Sequence, residues 1–137
     1  MAKDIFHNAV KNALEKDGWT VTHDPLFLSF GGIDMYIYLG AERILAAERG
    51  NEKIAVEIKS FVGPSATTEF SLALGQFLKY QLALEEDHPD RILYLAIPID
   101  AEREFFRLEL PRLLIERYHV RLLIYDPEEE VIVKWQT

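Results

Sequence analysis

The sequence predicts a single α/β domain over residues 1–137, in which helices flank an α+β mixed sheet. Three observations predict it. Helix-like and strand-like segments follow each other in the order αβββ(β)αβαββ, which is typical of one mixed layer architecture. No linker or low-complexity segment divides the chain, and 137 residues is the size of one domain. With 49% apolar residues, the chain can fill one hydrophobic core.

The N-terminal half begins with a helix and continues as strands. Apolar residues recur at spacings of three and four over residues 3–17, which predicts an amphipathic helix that ends at Gly18. Pro25 and the pair Gly31-Gly32 separate the segments that follow. The strands predicted in this half cover residues 19–23, 26–30, 35–39, 44–49 and 53–61.

The C-terminal half is built around a long helix. Gly63-Pro64-Ser65 interrupts the strands, and Ser65, Thr67 and Thr68 offer N-caps to a helix over about residues 67–86. Its apolar positions are nearly continuous, so we expect it to be buried on more than one side. Pro89 ends it. The elements predicted after it are a strand at 91–98, a helix at about 101–118 and closing strands at 120–125 and 131–135.

Composition excludes several classes of protein. Fifteen Lys and Arg against 23 Asp and Glu give a net charge of −8, which disfavours tight binding to a phosphate backbone by this chain alone. The absence of cysteine excludes a disulfide framework and a cysteine nucleophile, and it fits a cytoplasmic location. No segment approaches the roughly 20 apolar residues of a membrane span. Trp19 and Trp135 are more typical of core packing than of a base-stacking platform.

The segment with the most chemistry is a predicted β-hairpin. Gly50-Asn51 between two apolar runs predicts a two-residue turn. That turn places Ile44 opposite Glu57 and Glu42 opposite Lys59. Since side chains alternate along a strand, Glu57 and Lys59 lie on one face, where Glu42 joins them. A three-residue turn would instead move Glu42 to the opposite face.

Two carboxylates and an ammonium at one place indicate a candidate metal site. Glu42 and Glu57 are the ligand type that binds Mg²⁺ or Mn²⁺, and the bound ion would activate water for phosphodiester hydrolysis. Lys59 would orient that water or stabilise the developing charge. The alternative is a cross-strand salt bridge on a solvated face. The apolar strand and the helix expected above it disfavour this alternative, because unpaired buried charges are costly.

The long helix adds a second polar feature. Gln76 and Tyr80 are four residues apart and therefore point the same way, with Glu69 on the same stripe. In a mostly apolar helix they need polar partners, and the face of Glu57 and Lys59 could provide them. The alternative is an ordinary rim position with Gln76 and Tyr80 half exposed.

These motifs together resemble a known superfamily. A hairpin with an acid and Glu-x-Lys, then a helix with Gln-x-x-x-Tyr and a central strand, resembles the PD-(D/E)XK nucleases, and the Gln-x-x-x-Tyr element is similar to that of the RecB-like branch. A closer resemblance, from about residue 4 to 135, is to the XisH family, the fdxN-element excision controlling factors of cyanobacteria. The segments that carry it are 18–25, 39–42, 54–61, 73–76, 91–96 and 132–135.

The resemblance implies an accessory role in programmed DNA rearrangement. XisH proteins are associated with site-specific excision of the fdxN element during heterocyst development, together with a site-specific recombinase and a small XisI-type partner protein. It also implies a restriction-endonuclease-like core of order αβββαβ with a C-terminal αββ extension. The catalytic positions would be Glu42, Glu57, Lys59 and Gln76, with Mg²⁺ or Mn²⁺ held by Glu42 and Glu57.

One departure from the family pattern bears on the metal. Tyr38 stands where the family often has Asp, on the face of Glu42, and Asp34 is the nearest substitute. Tyr80 is a supporting residue. Two alternatives to the accessory role stay open: an active Mg²⁺- or Mn²⁺-dependent DNA endonuclease, and a non-catalytic protein-interaction module. Exposed strand edges leave homo-oligomerisation open.

Overall fold

The structure is a computed structural model that describes the backbone of residues 2–34 and 44–137. The strands in that part of the chain are β1 (Thr20–His23), β2 (Ser29–Phe30), β3 (Ile33–Asp34), β4 (Ile44–Arg49), β5 (Glu52–Ile58), β6 (Ile92–Pro98), β7 (Leu122–Asp126) and β8 (Val131–Gln136). Six of them form one sheet in the spatial order β1, β4, β5, β6, β7 and β8, and β2 and β3 form a separate hairpin. The pairs β5–β6 and β6–β7 are parallel, and the others are antiparallel.

Helices cover both faces of the sheet. Four are described: α1 (Ala2–Lys16), α2 (Ala66–Asp87), the single turn α3 (Ile99–Ala101), which continues as a π-helical turn at Glu102–Phe106, and α4 (Glu109–Arg117). The α2 side carries one apolar cluster and the α1 side a second. None of the described helices combines the length and apolar character needed to cross a membrane. The expected mixed α+β fold is therefore confirmed for the described residues.

The predicted hairpin register is confirmed. Arg49 lies opposite Glu52 and Ile44 lies opposite Glu57. Gly50 has a φ of +60°, and a positive φ at the first central residue is what a tight two-residue hairpin turn requires. The turn therefore has two residues, and the face on which each side chain of β5 lies follows from it.

The helical stretch predicted at about 101–118 is helical over most of its length but is divided in two. The chain leaves the helical path at Leu108, whose ψ is 155°, and α4 restarts at Glu109. Pro111 explains the break, because it has no N–H for the Arg107 carbonyl and its ring would collide with that group inside a continuous helix. After the restart, Pro111 lies in a first turn, where an N–H has no helical partner.

Two predicted strands are shorter than expected, and a third was not tested. Of 26–30, only Ser29–Phe30 forms strand, although Leu26 and Leu28 are buried. β5 ends at Ile58, before the predicted end at residue 61. The strand predicted at 35–39 lies outside the described residues.

Candidate functional site

Glu57 is a buried carboxylate in an apolar layer. It lies opposite Ile44 on β4 and beside Leu95 on β6. Both neighbours belong to the cluster beneath α2, as does Ala55, two residues earlier on the same strand. Only 1% of Glu57 is exposed. Strand alternation therefore places Glu57 on the α2 side, as predicted, and the alternative of a solvated sheet face does not fit this burial.

Lys59 follows the last residue of β5 and is anchored through its backbone. Its N–H donates to the Ala96 carbonyl at 3.0 Å, and its carbonyl accepts from the Tyr125 hydroxyl at 3.2 Å. Burial raises the pKa of Tyr125, so the phenol stays a hydrogen-bond donor. Lys59 itself is 9% exposed. Two strands thus hold the lysine backbone at the carboxyl end of β5, two residues beyond Glu57.

The segment after Lys59 contains contacts that sequence reasoning missed. Phe61 has a φ of +54°, which is unusual for a bulky residue, and its ring packs against Phe105 and Phe106 of the π-helical turn. The Gly63 N–H donates to the Glu69 carboxylate at 2.7 Å. The signal in the sequence was Glu69 itself, an acid in the first turn of α2 and six residues after a glycine. Together these contacts fix the loop that follows the candidate lysine.

The two polar residues of α2 in the predicted site, Gln76 and Tyr80, are buried to different extents. Tyr80 is 2% exposed and belongs to the core beneath α2, so the half-exposed alternative is wrong for it. Gln76 is half-buried, and its Oε1 is buried with no hydrogen-bond partner among the described residues. A buried amide oxygen normally accepts a hydrogen bond, so this atom is one that a bound group could satisfy.

The remaining predicted site residues are not tested. Glu42 and Tyr38 lie outside the described residues. The backbone of Asp34 pairs with Ser29 in the β2–β3 hairpin, and its side chain lies outside what the structure describes. The described residues contain no group of three or more Asp, Glu or His side chains that could hold a metal ion. The predicted carboxylate pair therefore depends on Glu42 and stays a prediction.

A cavity of about 380 Å³ opens at the carboxyl ends of the parallel strands. Ser60 and Phe61 line it after β5, and Pro98 lines it at the end of β6. Asp100 and Glu104 add two carboxylates. Ligands of open α/β sheets bind at this edge, and the carboxylates that line the crevice here are those of Asp100 and Glu104.

Comparison with known proteins identifies the family. The model of the family described as "XisH protein" matches residues 1–133. The chain belongs to the XisH family. A crystal structure of an XisH family protein from Nostoc punctiforme PCC 73102 is similar over 98% of this chain and 100% of that chain, with 49% identity and a TM-score of 0.91.

A second structural neighbour has a functional name. The crystal structure of an FdxN element excision controlling factor protein from Anabaena variabilis has 47% identity to this chain and a TM-score of 0.91. The similarity covers 98% of this chain and 99% of the other. Comparison with the curated proteins gives no match. The XisH resemblance inferred from the sequence is therefore confirmed.

Proposed function

We propose that this XisH chain is an accessory controlling factor for site-specific excision of a DNA element of the fdxN type. The observation that carries the proposal is the similarity, over 98% of the chain, to an FdxN element excision controlling factor protein. Membership of the XisH family over residues 1–133 supports it. The heterocyst setting and the cytoplasmic location expected from the sequence remain parts of this proposal.

The fold supports a distant relation to PD-(D/E)XK nucleases as part of the same proposal. In that superfamily, as in the predicted order αβββαβ, a hairpin with Glu-x-Lys precedes a helix that leads into a central strand. Here α1 precedes the β4–β5 hairpin, and α2 connects β5 to the parallel strand β6. Glu57 and Lys59 stand at the carboxyl end of β5.

A divalent cation site at this end is the chemical core of the proposal. Carboxylate oxygens are the ligands that Mg²⁺ and Mn²⁺ prefer, so the buried Glu57 carboxylate is a suitable type of ligand for such an ion. Glu42 is the second proposed ligand. When bound, the ion would polarise a phosphodiester and lower the pKa of a water ligand. Lys59 would hold its ammonium beside the developing negative charge, and Gln76 would accept a hydrogen bond through Oε1.

The charge of the chain favours action within a complex. At a net charge of −8, the chain lacks the positive charge that retains a phosphate backbone, so a partner must supply it. We assign this role to an XisI-type partner protein and to the site-specific recombinase. DNA is then held by the assembly.

An excision assay tests the accessory role. A reporter plasmid carrying the element borders is combined with the recombinase, the XisI-type protein and this chain. We expect excision with the parent and its loss when the chain is omitted. Excision that is equally efficient without the chain would refute the accessory role.

Mn²⁺ titration calorimetry tests the cation site separately. We expect saturable binding by the parent and at least about tenfold weaker binding by Glu57→Gln, because one ligand loses its charge. Glu86→Gln, which removes an exposed carboxylate at the far end of α2, is the matched control and should bind like the parent. Equal binding by all three proteins, or binding by none, would overturn the site.

Autonomous cleavage is the second candidate function, and the burial of Glu57 favours it. A protein with this activity would nick plasmid DNA in Mn²⁺, and Glu57→Ala and Lys59→Ala would each lose the activity. Cleavage that survives in both variants would belong to a contaminant. If Mn²⁺ leaves the melting temperature unchanged and no DNA is shifted at low salt, the remaining alternative is a protein-interaction module.

A further inference from the structure

A second cavity, of about 390 Å³, lies on the α1 side of the sheet, at the amino ends of β5 and β6. Its walls come from the start of β5, at Lys53 and Ile54, and the start of β6, at Ile92 and Tyr94. Tyr94 belongs to the apolar cluster on the α1 side. The cavity is therefore separate from Glu57, which faces α2, and its volume falls in the range of small-molecule sites.

Three aromatic rings from distant parts of the chain meet in this cavity. Trp135 of β8 lies 4.8 Å from the Tyr94 ring and 5.7 Å from the Trp19 ring. Trp19 is 4% exposed and forms the floor, whereas Tyr94 and Trp135 are half-buried. We name these three rings the aromatic groove. The Nε1 of Trp19 is buried with no hydrogen-bond partner among the described residues, although a buried indole N–H usually has one.

Polar groups of balanced charge surround the aromatic groove. The Arg49 guanidinium lies 4.6 Å above the Trp19 ring and is held by Glu52 at 3.3 Å. Lys53 pairs with Asp90 at 3.1 Å, and the side chain of Asn51 completes the rim. Among the groups that line the cavity, two cations thus stand beside two carboxylates and one amide, and Asp17, which does not line it, also holds Arg49 at 3.0 Å. Such a rim offers donors and acceptors without a strong net charge.

We propose that the aromatic groove binds a nucleobase, taken from a free nucleoside or from unpaired DNA. Stacking on aromatic rings binds any base through its π-face. The donors and acceptors of the rim match the polar edges of a base, whereas a phenyl side chain would leave them unused. The balanced charge disfavours polyphosphates, so the phosphates of a bound strand would stay in solvent. This inference does not depend on the proposed function.

The chain contains its own reporter for this site. It has two tryptophans, and both line the aromatic groove, so its tryptophan emission reports on the groove alone. Uncharged nucleosides and a single-stranded oligonucleotide are titrated separately, with N-acetyltryptophanamide as the inner-filter control. We expect saturable quenching. Tighter binding of the oligonucleotide identifies unpaired DNA as the source of the base, and equal binding identifies the free nucleoside. Absence of saturable quenching by every ligand would overturn the proposal.

Two variants localise the binding while Trp19 still reports. Trp135→Leu removes the stacking ring and should weaken nucleoside binding at least about tenfold. Lys53→Gln, which changes a rim donor that faces the base, should weaken nucleoside and oligonucleotide binding alike, and Lys134→Gln, whose lysine pairs with Glu102 instead, should change neither. Circular dichroism confirms folding, and ligand-detected NMR repeats the measurement without tryptophan. Undiminished binding by Trp135→Leu, or equal binding of phenol and nucleosides by the parent, would refute the nucleobase site.

Discussion

The two ends of the β4–β5 hairpin carry the same residue types in different environments. Near the turn, the side chains of Glu52 and Lys53 are 64% and 41% exposed, and each lies in a surface ion pair. At the other end, Glu57 and Lys59 are 1% and 9% exposed. A glutamate and a lysine close together in the sequence therefore do not by themselves mark a site. Burial beneath α2 is what distinguishes Glu57 and Lys59 from Glu52 and Lys53.

The energetic consequences of the two environments differ. Exposed ion pairs contribute about 0–1 kcal/mol, so those near the turn can be lost at little cost. Transfer of a charged group into an apolar layer costs several kcal/mol unless its new contacts compensate. Charged residues are rarely buried, and functional sites are among the places where they are. The buried end is thus the part of the hairpin at which we expect function to have shaped the sequence.

The largest effect on stability should come from weakening the packing between α2 and the sheet. Phe77 is 1% exposed in the cluster between α2 and the sheet, so Phe77→Ala should lower the free energy of unfolding by about 3–5 kcal/mol. Its neighbour Leu78 is 44% exposed, and Leu78→Ala should cost less than about 1 kcal/mol. Urea denaturation measures both. Similar losses in the two variants would show that α2 does not bury the sheet through the Phe77 face.

A second prediction concerns the anchor of Lys59 at the buried end. Tyr125→Phe removes the hydroxyl that donates to the Lys59 carbonyl, and should cost about 1–3 kcal/mol at neutral pH. Urea denaturation of the two proteins measures the difference. Tyr94→Phe is the control, because no described hydrogen bond from Tyr94 holds Lys59. An unchanged stability of Tyr125→Phe would contradict the anchoring role.

The same tyrosine predicts a pH dependence. Burial raises the pKa of Tyr125 above its unfolded value, so its contribution is complete below about pH 10 and is lost as the pH rises further. Above about pH 10, Tyr125 releases its phenol proton in the unfolded chain but retains it in the folded chain. The parent should lose about 1.4 kcal/mol per pH unit more than Tyr125→Phe. Parallel stability profiles of the two proteins above about pH 10 would contradict this.

Local signals in the sequence predicted the parts of the site that local geometry determines. Gly50-Asn51 predicted the turn, and the turn determines the register that brings Ile44 opposite Glu57. Ser65, one of three N-cap candidates, does accept a hydrogen bond from the Thr68 N–H at the start of α2. In both cases the deciding contacts lie within a few residues of each other.

Contacts between distant segments could not be predicted in this way. The left-handed backbone at Phe61 is held by Phe105 and Phe106, more than forty positions away in the sequence. The hydrogen bond from Tyr125 to Lys59 joins two strands that β6 separates. Pairing rules for one hairpin contain no information on either contact. Pro111 is different: its effect was local, and it could have predicted the break before α4.

The fourth prediction tests the turn that links the two ends. Gly50→Ala should destabilise the protein by about 1–2 kcal/mol, because the φ of +60° is unfavourable for alanine. Gly75→Ala is the matched control within α2, where an added Cβ meets nothing within 4 Å. It should stabilise the protein by about 0.5–1 kcal/mol. Thermal and urea denaturation measure both, and equal signs for the two substitutions would refute the assigned turn geometry.

The smallest effect is expected near the turn, where Glu52→Gln is the counterpart of Glu57→Gln. Glu52 pairs with Arg49, which also contacts Asp17 at 3.0 Å, so the guanidinium keeps one partner when the charge of Glu52 is removed. The loss should stay below about 1 kcal/mol and shrink in high salt, since exposed ion pairs are screened. Urea denaturation at two salt concentrations measures it. A loss of stability above about 1 kcal/mol that does not depend on salt would mean that the exposed charges also stabilise the hairpin. The energetic difference between its exposed and buried ends would then be refuted.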